Sequence, residues 1–85
     1  MGQGKRILPT ARERVLRMRV LAQSNVDDGR AFNQNRPDQR PVDIEPDILI
    51  VGLCDRALRA ADDGDYESHM EAVREIQRIA GEATQ

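Results

Sequence analysis

Cys54 and His69 are the chain's only cysteine and only histidine, and they are the side chains best suited to nucleophilic or metal chemistry. A structural zinc site usually takes four ligands, so this pair would need others from a second chain. Cys54 stands among Ile50, Val51, Leu53, Ala57 and Leu58. In such apolar company a thiol is ordinarily inert packing. His69 falls by helical phase within an apolar face, and it is read as packing or an interface contact. Asp43, Glu45 and Asp47 bring three carboxylates close together in the chain, as hard cations require. Acids in that position also suit the start of a helix, and that is the reading adopted. Asp62-Asp63-Gly64-Asp65 lacks the spacing of a calcium loop. Gly2, Gly4 and Lys5 lack the rest of a phosphate loop. Ser24 and Ser68 form no triad with His69. No catalytic, cofactor or metal residue is therefore assigned, and neither an enzyme nor a small-molecule substrate is expected.

The charges have a layout of their own. The 85 residues carry a net charge of −2, with nine basic and four acidic side chains up to Arg40. From Pro41 onward there are four basic and eleven acidic. Such a dipolar chain can fold back on itself, pair head-to-tail, or offer each half to a different partner. The sequence pI of about 5.3 and the lack of aromatics interleaved with the arginines weigh against a dedicated nucleic-acid domain. No apolar run reaches the length of a membrane span. A single cysteine cannot form an internal disulfide, so a reducing cytoplasm is the expected location.

The elements that position these residues follow from periodicity. Hydrophobic residues are 39% of the chain but only two are aromatic, which excludes a β-rich fold built on aromatic strands. The expected fold is all-α: a small three-helix protein with a C-terminal antiparallel helical hairpin and a long polar linker after the first helix. It forms a single domain over residues 1–85. A flexible basic segment over 1–9 precedes helix one, over 10–24, which a Thr10–Glu13 capping box begins. The composition then turns polar, giving a linker over 25–45. Pro46 opens the second helix, over 46–63, which carries enough apolar residues to be buried on most sides. Gly64 ends it and Asp65 caps the third, over 65–80, leaving a tail over 81–85. Tyr66, Met70, Ala72, Val73, Ile76 and Ala80 make the apolar face of that helix.

Partner-binding candidates lie on all three segments. Ala11, Val15, Met18, Ala22 and Val26 form one apolar stripe on helix one. Leu16 and Val20 form a second, which Arg12, Arg19 and Gln23 separate from the first. A helix with two apolar stripes touches two things, and a homodimer would account for both. Arg14 and Arg17 supply cations for phosphates or for an acidic protein surface. Glu67, Glu71 and Glu75 line one face of helix three and could meet a basic groove. Phe32, alone in its polar surroundings, is the best single anchor for a partner. The expectation is a non-enzymatic protein–protein interaction module, a small regulator or inhibitor of a larger complex. The alternative is a nucleic-acid-associated protein that binds phosphates through the arginines of helix one.

Overall fold

A computed structural model of the chain describes residues 6–83. Three helices account for most of them: α1 over Pro9–Asn35, α2 over Glu45–Asp63 and α3 over Tyr66–Ala83. There is no strand among the described residues. The fold is all-α, as the periodicity requires. Met1 to Lys5 lie outside the described residues, so the flexible segment expected over 1–9 is covered only from Arg6 onward. Of the tail expected over 81–85, residues 81–83 belong to α3, and Thr84 and Gln85 lie outside.

The start of α1 corrects the expected capping box. Leu8 is the capping residue, without a side-chain cap, and Pro9 is the first helical residue. Proline suits that position because its missing N–H has no intrahelical partner there and its φ is already helical. Thr10 is thereby drawn inside the first turn. Leu8 O instead accepts the amides of Ala11 (3.0 Å) and Arg12 (3.2 Å).

The far end of α1 corrects more. The helix does not stop near Ser24; it continues through Asp28 and Phe32 to Asn35, and the connection to α2 shrinks to residues 36–44. Asn25, Asp27, Asp28 and Gly29 are poor helix formers in isolation. Here Val26 and Gly29 are buried, while Asn25, Asp27 and Asp28 face solvent. Tertiary contact outweighs propensity. The connection doubles back against this added length. Asn33 Nδ2 donates to Val42 O (3.1 Å), and Val42 N–H donates to Asn33 Oδ1 (2.8 Å). One side-chain amide thus satisfies both backbone groups of Val42.

At the entry to α2, Ile44 is the capping residue and Pro46 the second helical one. Asp43 Oδ1 accepts the Glu45 N–H at 3.0 Å, so Asp43 serves the backbone. Gly64 ends α2 in the left-handed conformation, at φ 73°. Its amide and that of Asp65 bond back to Ala61 O (3.2 Å) and Ala60 O (2.8 Å). Asp65 then caps α3, with Oδ1 taking the Ser68 amide and Oδ2 the Ser68 hydroxyl. The link between α2 and α3 is therefore two residues long, and α3 returns along α2.

The core is drawn from all three helices. Val15 and Ala22 of α1 pack with Ile50, Cys54 and Ala57 of α2 and with Ala72, Ile76 and Ile79 of α3. Two side-chain assignments change. Ile79 is buried in place of Ala80, which is exposed; the buried residues 69, 72, 76 and 79 follow the 3-4-3 spacing of one helix face. Ile48 and Leu49 of α2 stay exposed, so α2 is buried over less of its circumference than its composition suggests. Its neighbours are α1 on one side and α3 on the other, and Ala11, Val15 and Met18 of α1 face His69, Met70 and Val73 of α3 across a groove.

Candidate protein-interaction surface

The dipolar charge layout is partly spent inside the chain. Arg12 Nε donates to Asp62 Oδ1 at 3.0 Å and Arg19 Nε to Asp55 Oδ1 at 2.5 Å. Arg12 and Arg19 are two helical turns apart, as are Asp55 and Asp62, and their order is reversed. The pairs therefore fix α1 antiparallel to α2. Asp55 holds the Arg19 guanidinium above its ordinary range, through the hydrogen bond first and its charge second.

Arg14 and Arg17 are exposed and form no ion pair with α2 or α3 among the described residues. Arg17 makes only a loose 4.0 Å contact with Glu13 one turn back. Beside them lie Leu16, Val20 and Leu21, which are 38%, 68% and 65% exposed. Leu16, Arg17, Val20 and Leu21 share the outward side of α1, away from the Val15–Ala22–Val26 stripe that packs inward, while Arg14 lies on the flank toward Met70 and Val73 of α3. Leu16 and Val20 are readable from the sequence as a second stripe. Leu21 is not, because it lies across the outward face from Leu16 and belongs to neither stripe. Asp27 and Asp28 continue the same face because the helix continues. Gln23 Nε2 donates to Asp27 Oδ1 at 3.2 Å. The outward face thus has Arg17 with its neighbour Glu13 toward one end, aliphatic side chains in the middle, and Asp27 and Asp28 toward the other.

Phe32 sits on the last turns of α1, not in a linker, and is 39% exposed. With Gly29, Val42 and Ile44 it lines a shallow surface recess. Phe32 is neither fully buried in the core nor isolated in solvent.

The acidic residues of α3 do not form one free ridge. Glu75 is half-buried and takes hydrogen bonds from Arg78 Nε (3.1 Å) and Nη2. These bonds hold its carboxyl below the usual range, with a smaller contribution from the charge of Arg78. Arg78 also reaches Glu82 Oε2 at 3.0 Å. Glu67 is exposed and is also engaged in an interaction. Glu71 lines a recess that includes Arg56 and Arg59 of α2.

His69 is buried, and its Nδ1 lies 2.9 Å from Ala57 O. A carbonyl can only accept, so Nδ1 carries the proton and donates. This bond ties α3 to α2. Cys54 is fully buried in the core. Burial pushes its thiol up, Asp55 adds to the shift, and Arg19 opposes it. A raised thiol is a poor nucleophile. Among the described residues no group of three or more His, Cys, Asp or Glu side chains is placed to hold a metal ion. No helix of those residues is long and apolar enough to cross a membrane. Compared with known proteins, the chain matches no family model, no curated protein and no solved structure.

Proposed function

We propose that this protein is a protein-interaction module that works through the outward face of α1. One observation carries the reading: Leu16, Val20 and Leu21 stand together in solvent on a helix whose opposite side is already committed to the core. A clustered apolar surface with a charged border is the physical signature of a docking face. Arg14 and Arg17 at one end favour a partner with acidic groups there. The module would act as a regulator or inhibitor by occupying a surface of its partner. The nucleic-acid reading has less support, because Arg12 and Arg19 are engaged by Asp62 and Asp55.

Affinity capture with wild type and with Val20→Asp/Leu21→Asp tests this. Both positions are exposed, so the variant should keep its helical circular dichroism. A partner bound by wild type, lost by the variant, and rebound as a purified protein is the expected result. Equal capture by both proteins would remove the α1 face from the proposal.

A further inference from the structure

We infer that the outward face of α1 is self-complementary and pairs with the same face of a second copy in antiparallel register. This inference rests on the interaction reading above and names its partner. Glu13, Arg17, Val20, Ser24, Asp27 and Ala31 recur at alternating spacings of four and three, and all are exposed. They form one seam along the side of α1 opposite its buried stripe, with Val20 and Ala31 as its apolar members. From Glu13 to Ala31 the seam is about 27 Å long at the helical rise.

A two-fold axis level with Ala22 brings the opposite charges of this face together across the pair. Arg17 meets the partner's Asp27, and Val20 meets the partner's Ser24. On one flank Arg14 meets the partner's Asp28, and Leu21 meets its own symmetry mate at the axis. A parallel pairing would instead oppose Arg14 and Arg17 to their own copies and Asp27 and Asp28 to theirs. The charges therefore select the antiparallel register, which is what an isologous dimer requires. All four charged groups are exposed, and the local contacts of Arg17 with Glu13 and of Asp27 with Gln23 lie at the surface, where a second copy can compete for them. The inward stripe of α1 is not disturbed.

Sedimentation equilibrium of the whole chain, at concentrations up to about 1 mM, reads the self-association. Wild type should show a monomer–dimer equilibrium. Arg14→Asp/Arg17→Asp alone, and Asp27→Arg/Asp28→Arg alone, should each weaken it by about tenfold or more. An equimolar mixture of the two variants should restore a dimer containing one of each. Leu21→Cys, with Cys54→Ala, should form a disulfide-linked dimer on oxidation and give a readout independent of charge reversal. A wild type that stays monomeric would overturn the self-pairing and leave the capture experiment above to decide the broader reading. A dimer unaffected by either reversal would put the contact elsewhere and overturn it as well. So would a dimeric Leu21→Cys variant that forms no cross-link on oxidation.

Discussion

Gly29 and Ile44 approach so closely that a β-carbon on Gly29 would overlap Ile44 Cγ2. The glycine sits inside α1, at the point where the connection from α1 comes back to start α2. Ile44 Cγ2 is one bond from a branched β-carbon, so it can retreat only by a χ1 change or by a shift of the connection.

Gly29→Ala should therefore destabilise the protein even though alanine is the better helix former. Overpacking costs about 1–3 kcal/mol, against a propensity gain of about 1 kcal/mol. The loss should disappear when Ile44→Ala is already present, which a double-mutant cycle by denaturant unfolding will show. Gly52 is the internal control: nothing lies within 4 Å of its would-be β-carbon. Gly52→Ala should raise stability by up to about 1 kcal/mol. A stabilising Gly29→Ala would mean that the connection does not press on the helix.

The paired bonds between Asn33 and Val42 make a second prediction. Asn33→Ala leaves both backbone groups of Val42 to solvent and should cost about 1 kcal/mol. The local effect should be larger than the global one. Hydrogen exchange at the Val42 amide should accelerate, while amides in the middle of α2 keep their protection. Uniform loss of protection would show that the connection and the core open together.

Asp65 gives a prediction that depends on pH. Its two bonds to Ser68, with the side-chain bond the larger cause, hold its carboxyl below the ordinary value. A folded-state pKa below the unfolded one stabilises the fold above the unfolded value of about 3.9. That stabilisation is lost as pH falls through the folded value. Asp65→Ala should lower the denaturation midpoint at neutral pH, and wild type and variant should converge in acid. A gap that stays constant between neutral and strongly acidic pH would assign the effect to something other than the carboxylate.

Cys54 should resist thiol reagents in the native protein. Its side chain is fully buried and its thiol is raised, so labelling requires an opening of the structure. The labelling rate should track global unfolding and rise with denaturant. Rapid native-state labelling would show that the α1–α2 interface breathes without unfolding.

Much of α2 and α3 is legible in the sequence because their signals are local. Pro46 near one start, Gly64 at one end and Asp65 at the next start each act within a few residues. The second half of α1 is not legible in that way. Asn25, Asp27, Asp28 and Gly29 argue locally for a loop, and what keeps them helical is the burial of Val26 and Gly29 and the return of Val42 and Ile44. Ile44, which packs against Gly29, is fifteen residues further along the chain. The candidate surface divides similarly. Leu16 and Val20 emerge from periodicity alone. Asp27 and Asp28 join them only once the helix is known to continue, and Leu21 only once the outward side of α1 is defined. Glu75 keeps the helix position that periodicity gives it, but its engagement by Arg78 emerges only from the structure.

The side-by-side placement of α1 and α3 on α2 has a hydrodynamic consequence. The described residues extend over 61 × 22 × 15 Å, with a radius of gyration of 15.4 Å. A compact chain of this length would have a radius of gyration of about 12 Å. A rod-like monomer tumbles slowly and leaves a gel-filtration column early, at the position of a heavier sphere. Elution volume would therefore count two molecules where there is one, and the number of chains per particle must come from mass.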